Sequence, residues 1–265
     1  MTRRFFGAVA VGLVGLALSF GVAYLFGLFT HLGFVVHVDR PFDLFFDRHR
    51  WNAMVKVMDN VTLLGSYTVD FSIAGAAGLL LCLLSRRLLP IPVLLAALPV
   101  EVYMQKAMTS ILHGPEPSRA LSIGPPGGYF SGGSARAALV CGLVAYFVGW
   151  VTSDRLTRRV MWSAAVLAVF LEGVSRLYLG RHFAVDIVGG WLFGGLALAS
   201  AIIALERLQP DMALRVGWGR RERQGAMDSG ARTATRAPWP GVTGAWRCPV
   251  LVQASHAEVE GDQGC

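Results

Sequence analysis

Six long apolar segments, separated by shorter polar stretches, organise the sequence. They run approximately over residues 5–29, 67–84, 88–112, 131–151, 160–180 and 183–205. A helix needs about 20 apolar residues to cross the hydrocarbon core of a bilayer, and each segment has that length or nearly so. The pattern therefore predicts an all-α integral membrane protein, a six-helix bundle formed by residues 1–208.

A shorter amphipathic pattern lies between the first two apolar segments. Trp51, Met54, Val55 and Met58 recur at helical spacing, whereas the neighbouring charged residues fall elsewhere on the helical wheel. We expect a helix that lies at the membrane interface and packs over the bundle.

The C-terminal part of the sequence has a different character. Residues 209–265 mix Gly, Ala, Pro, Arg and Thr without any helical or strand periodicity. Because such a segment lacks the apolar surface that a packed core requires, we expect it to form a disordered cytoplasmic tail.

The composition agrees with a membrane protein, since 54% of the residues are hydrophobic and only 15% are charged. The net charge of +7 comes largely from arginines that flank the apolar segments, which argues for membrane orientation and against nucleic-acid binding. Twelve Lys and Arg residues flank the predicted spans on one side and six on the other. This asymmetry predicts a multi-pass protein of the cell membrane, with both termini cytoplasmic and residues 113–130 and 180–182 facing outward.

Ionisable side chains inside membrane spans are costly, so they are candidates for function. Those in the predicted spans are Asp70, Glu101, Lys106, Arg136, Glu172, Arg176 and Asp186. We expect one group of them to meet near the outward-facing end of the bundle together with His182, namely Lys106, Arg136, Arg176 and Asp186. Structural ion pairing is the alternative explanation for some of these residues.

The most informative stretch runs from Ser175 to Asp186. His182 and Asp186 are four residues apart, so on a helix they share a face. A carboxylate in that position holds the proton of one imidazole nitrogen and leaves the other nitrogen free to attack. Arg176 adds a planar charged fork that suits phosphate oxygens. The structural alternative is an ion pair beside an interfacial histidine.

This stretch resembles the third motif of the type 2 phosphatidic acid phosphatase superfamily, S-R-x5-H-x3-D, at every defined position. The second motif of that family, P-S-G-H, corresponds here to Phe130, Ser131, Gly132 and Gly133. The first motif, K-x6-R-P, corresponds to Lys106 followed at the same distance by His113. The resemblance covers roughly residues 1–205.

The resemblance implies a membrane phosphatase that acts on lipid phosphates or diphosphates in two steps. His182 would form a phosphohistidine, Asp186 would orient it, and the phosphate would be bound by Lys106, Ser131, Gly132, Gly133, Ser175 and Arg176. Independently of the family, glycines at a helix N-terminus suit an anion, because unpaired N–H groups and the helix dipole favour negative charge there. Neither a metal nor another cofactor is implied. The expected partners are the lipid substrate and the bilayer, and no pattern in the sequence indicates an oligomeric state.

Two departures from the family motifs bear on the activity. Gly133 stands where the family has the histidine that protonates the leaving group, and His113 stands where it has an arginine. Arg136 or Arg119 is a candidate to replace the missing cation, and His113 is an alternative acid. Without the motif-two acid we expect a bias toward diphosphates, and we expect a histidine restored at position 133 to favour monoesters. The alternative function is a protein that binds or transports a lipid phosphate without hydrolysing it.

Overall fold

The computed structural model describes residues 2–31, 34–113, 117, 123 and 126–209. Within these residues the chain forms eight α-helices and one short 3₁₀ helix at Thr62–Gly65. The α-helices are α1 (Thr2–His31), α2 (Phe34–Arg48), α3 (Asn52–Val61), α4 (Tyr67–Ser85), α5 (Pro90–Ile111), α6 (Gly132–Val151), α7 (Arg155–Tyr178) and α8 (Ala184–Leu208). Helices α1 and α4–α8 are long and apolar enough to cross a membrane, which confirms the predicted all-α six-helix membrane bundle.

The six long helices alternate in direction, so the bundle has two distinct ends. The His182 end carries the start of α4, α6 and α8, together with α2 and α3. The opposite end, which we call the terminal end, carries the start of α1 and the end of α8. At the terminal end Arg87 donates to the side chain of Gln209, and its guanidinium lies over the ring of Trp150.

Helix α6 lies at the centre of the bundle, where it packs against α4, α5, α7 and α8. The ring of Phe130, just before α6, stacks on that of Phe193 in α8. Close approach of these two helices depends on Gly194, because a Cβ there would run into the backbone of Ala135. Small residues at such a contact are typical of membrane helices.

The polar stretch between the first two spans contains two helices, not one. The predicted amphipathic helix is α3, although Trp51 lies just before it and is exposed. Helix α2 was not predicted, because charged residues and Pro41 interrupt its sequence. Its Asp39 is buried and accepts a hydrogen bond from the backbone N–H of Val185, at 3.1 Å. This contact joins α2 to the first turn of α8.

Residues 210–265 lie outside the described part of the chain, so the disordered tail stays a prediction. Most of residues 114–125 lie outside it as well, among them the candidate cation Arg119, so its role is untested.

Candidate active site

A tight turn between α7 and α8 positions His182 and Asp186. Helix α7 ends at Tyr178. Two residues later Gly180 has a φ of 64°, in the left-handed region that residues with a side chain rarely adopt. The carboxylate of Asp186 accepts the backbone N–H of Phe183 at 3.0 Å, which caps the start of α8. Nδ1 of the buried His182 lies 3.7 Å from Oδ2 of Asp186, too far for a hydrogen bond.

The imidazole of His182 is held between α8 and the segment that leads to α6. A Cβ on Gly127 would run into the ring, so only glycine allows this close contact. Further along the same segment, the N–H of Ser131 donates to the carbonyl oxygen of Asp186 at 2.9 Å. This bond fixes the N-terminus of α6 beside the first turn of α8.

The first turn of α6 begins with Gly132 and Gly133, which are buried and allow polar side chains from other helices to approach the backbone closely. The side-chain amide of Gln105 lies against Gly132, where a Cβ would otherwise project. In the same way, the guanidinium of Arg176 lies against Gly133. The unpaired N–H groups of a first turn attract anions, and Arg176 adds a full positive charge beside them.

Two guanidinium groups converge on one backbone oxygen. The carbonyl of Gly65 accepts a hydrogen bond from Nη2 of Arg176 at 3.2 Å and another from Nη2 of Arg136 at 2.9 Å. Gly65 ends the 3₁₀ helix that leads into α4. The entry to α4 is therefore tied to both α6 and α7.

Three buried carboxylates surround these two arginines in the described part of the chain. Nη1 of Arg136 donates to Oε2 of Glu101 at 2.9 Å, and its Nε lies 3.6 Å from Oδ2 of Asp70. Nε of Arg176 pairs with Oε1 of Glu172, whose Oε2 lies 2.8 Å from the hydroxyl of Ser134. We call Asp70, Glu101, Arg136, Glu172 and Arg176 the buried charge cluster. Charges inside a membrane protein are paired in this way because isolated ones are costly.

Comparison with known proteins identifies the family. The family model of the PAP2 superfamily matches residues 12–209, well over half of the chain. The chain belongs to the PAP2 superfamily. Its fold is similar to the crystal structure of the first transmembrane PAP2 type phosphatidylglycerolphosphate phosphatase from Bacillus subtilis, with a TM-score of 0.65 and 20% sequence identity. That alignment covers 73% of this chain and 97% of the Bacillus chain. A comparison with curated protein sequences gives no match.

Some PAP2 motif residues come together in this chain and others stay apart. Ser131 links the His182–Asp186 pair to the cluster, because its hydroxyl lies 3.0 Å from that of Ser134. Lys106 and His113 are exposed, and neither makes a hydrogen bond or ion pair with another described residue. The hydroxyl of Ser175 donates to the carbonyl of Glu172 within α7.

Several residues in contact with these motif residues or their neighbours were not among the sequence candidates, namely Asp39, Gly65, Gln105, Gly127 and Ser134, whereas Glu172 was named only as an ionisable residue within a span. Glu172 carried a usable signal, since it lies one helical turn from Arg176. The others act through backbone atoms or non-local contacts that spacing does not reveal. Among the described residues, no group of three or more His, Cys, Asp and Glu side chains is arranged to hold a metal ion.

Proposed function

We propose that this PAP2 superfamily protein hydrolyses lipid phosphates or diphosphates through a phosphohistidine at His182. Family membership and the six-helix fold support a membrane lipid phosphatase. The observation that carries the finer proposal is the bond between Ser131 and Asp186, which keeps the His182–Asp186 pair beside an anion-attracting helix N-terminus.

The proposed reaction has two displacement steps. In the first, Nε2 of His182 attacks phosphorus while the bond from phosphorus to the leaving oxygen breaks. In the second, water attacks the phosphohistidine, the P–N bond breaks and inorganic phosphate leaves. Asp186 would orient His182 by accepting a hydrogen bond from its Nδ1–H, once the distance between Nδ1 and Oδ2 shortens from 3.7 Å. Arg176 and the first-turn N–H groups of α6 would hold the phosphate oxygens, so that positioning and charge supply most of the catalysis.

The identity of the leaving group follows from the lack of a histidine at position 133. A lipid alkoxide needs a proton as it leaves, whereas a lipid phosphate that leaves from a diphosphate is a much weaker base. We therefore propose that the enzyme favours diphosphates. His113 is the alternative acid. Arg136 is the candidate to replace the positive charge of the arginine that the first motif lacks here. We place the site in the outer leaflet, on the charge asymmetry of the loops.

Binding without hydrolysis is the second candidate function. It is favoured by the loss of the motif-two histidine and by Glu172, which already neutralises Arg176. Such a protein would hold a lipid phosphate headgroup at the same place and would release no phosphate.

The test is a phosphate-release assay on the purified full-length protein in detergent micelles. The substrates are a monophosphate and a diphosphate of one lipid chain, and the variants are His182→Ala and the matched control His49→Ala, which changes an exposed histidine. We expect faster release from the diphosphate, no release by His182→Ala and unchanged release by His49→Ala. Faster release from the monophosphate would refute the diphosphate preference. Wild-type binding without release would favour the second candidate.

A further inference from the structure

A long apolar groove runs through the terminal half of the bundle, away from His182. It lies between α1, α5, α6 and α8 and has a volume of about 580 Å³, within the range of small-molecule sites. Phe5 and Leu208 line it at the terminal end of the bundle. Leu13 and Val100 line it and are also exposed on the surface of the bundle, so the groove is open to the surrounding lipid.

One buried carboxylate adjoins the otherwise largely apolar lining of this groove. Glu101 lies near the middle of α5, lines the groove and is completely buried. Its Oε2 accepts a hydrogen bond from Arg136, but its Oε1 has no hydrogen-bond partner among the described residues. An unsatisfied buried acceptor costs about 1–3 kcal/mol, and more when it is charged. A ligand that fills the groove and donates one hydrogen bond would remove this cost.

The chemistry of the groove selects among lipids that have an apolar chain and a polar head. A carboxylate or phosphate head would be repelled by Glu101, because the buried charge cluster already has more acidic than basic members. An ammonium head is costly to bring to the middle of a bilayer. A hydroxyl is neutral and donates one hydrogen bond, so it matches Oε1 at the lowest cost.

We propose that the groove binds a long-chain lipid alcohol, with its hydroxyl donating to Oε1 of Glu101; hydrolysis of a lipid monophosphate, the less favoured of the two proposed substrates, would release such an alcohol. The source of the ligand rests on the proposed function, whereas the preference for a long-chain alcohol rests on the groove alone. The groove thus gives the dephosphorylated lipid a binding site that is separate from the phosphate-binding end of the protein.

Photolabelling of the purified protein in detergent micelles tests the groove without any phosphate ester. The probe is a long-chain alcohol that carries a diazirine on its chain, and the labelled peptides are identified by mass spectrometry. We expect saturable labelling of α1 or α8. Competition by an unlabelled alcohol should be roughly tenfold or more stronger than competition by its methyl ether, which has no donor. Equal competition by alcohol and ether, or stronger competition by a long-chain amine, would overturn the proposal.

Two variants test the location of the bound chain. Ala97→Phe on α5 and Ala201→Leu on α8 add bulk to opposite walls of the groove, and both are expected to reduce labelling at least several-fold. The matched control is Ala76→Phe on α4, where the side chain is exposed outside the groove. Labelling that is equal in all three variants and the wild type would overturn the proposal. Alcohol labelling by a protein that releases no phosphate would keep the groove and refute only the proposed function.

Discussion

The guanidinium of Arg176 lies against the Cα of Gly133, in the space that a side chain at position 133 would enter. By its motif Gly133 stands in the place of a lost acid, yet the same position is where Arg176, the arginine that defines the third motif, reaches toward α6. The position of the Arg176 guanidinium therefore depends on the absence of a side chain at position 133. A histidine restored at position 133 would displace Arg176 before it could act as an acid.

This relationship predicts that substitutions at Gly133 impair phosphate binding. Gly133→Ala and Gly133→His are both expected to raise KM for phosphate release by about tenfold or more, because a charged hydrogen-bond donor is displaced. The measurement is steady-state phosphate release on one lipid phosphate. Gly75→Ala is the control, since a Cβ there meets no atom within 4 Å. Improved monoester hydrolysis by Gly133→His would contradict this prediction and support the restored acid.

Arg176→Lys is predicted to weaken phosphate binding although it keeps the charge. A lysine can pair with Glu172, but it cannot also reach Gly65 and present a planar fork to a phosphate. We expect inhibition by inorganic phosphate to weaken about tenfold. The control is Arg181→Lys, because that arginine pairs with Asp59 at the protein surface. If the phosphate inhibition constants of wild type and Arg176→Lys agree, Arg176 is a structural residue only.

Arg136 is predicted to matter for stability, since its removal takes from Glu101 and Asp70 the ion-pair partner that they share. Loss of one member of a buried ion pair costs about 3–5 kcal/mol. Arg136→Ala is therefore expected to lower the unfolding temperature in detergent clearly, whereas Arg159→Ala, at an exposed position, should change it little. Adding Glu101→Gln to Arg136→Ala should restore part of the loss. A double variant that is less stable than Arg136→Ala would argue against the ion pair as the cause.

The burial of Asp39 predicts how the stability of the protein depends on pH. Burial raises the pKa of Asp39 from its ordinary value of 3.8, while the hydrogen bond from Val185 opposes the rise. The folded state therefore binds the proton more tightly than the unfolded state, and this contribution to stability falls as pH rises above 3.8. Asp39→Asn keeps an acceptor for Val185, so it should be more stable than wild type near pH 7 and lose that advantage at acidic pH.

A carboxylate at the opposite end of the bundle provides the control for this experiment. Hydrogen bonds from the side chain and backbone of Thr157 lower the pKa of Asp154. Its contribution to stability is present above the ordinary pKa and is lost as pH falls. Asp154→Asn should therefore be less stable than wild type near pH 7. A destabilising effect of Asp39→Asn at that pH would refute the role given to burial.

The proposed orientation predicts which positions react from outside the cell. Asn60 lies on α3 at the His182 end, and Ser153 lies between α6 and α7 at the terminal end. In a chain without native cysteines, Asn60→Cys should react with an impermeant thiol reagent in intact cells, and Ser153→Cys should react only after lysis. The reverse result would place the site on the cytoplasmic side.

The spans were predictable from the sequence because a long hydrophobic run is what a membrane-crossing helix requires. Helix α7 shows that the same run does not give the exact ends of a helix. Its apolar run begins near residue 160, but Asp154 caps the helix and extends it to Arg155. The bonds among Arg136, Glu101 and Asp70 depend on the rotation of three helices, which spacing within one helix does not specify. Asp39 is 146 residues from Val185, so no local pattern relates them.

The order of the buried charges along the chain has a consequence for biogenesis. A single charge at the centre of a membrane helix costs about 2.5–3.5 kcal/mol during insertion by the translocon. Glu101 has such a central position on α5, whereas Asp70 lies in the first turn of α4, and both are synthesised before their shared partner, Arg136 on α6. When α6 emerges, both counter-charges already belong to neighbouring helices. We therefore expect insertion of α4, α5 and α6 to be coupled through this shared arginine.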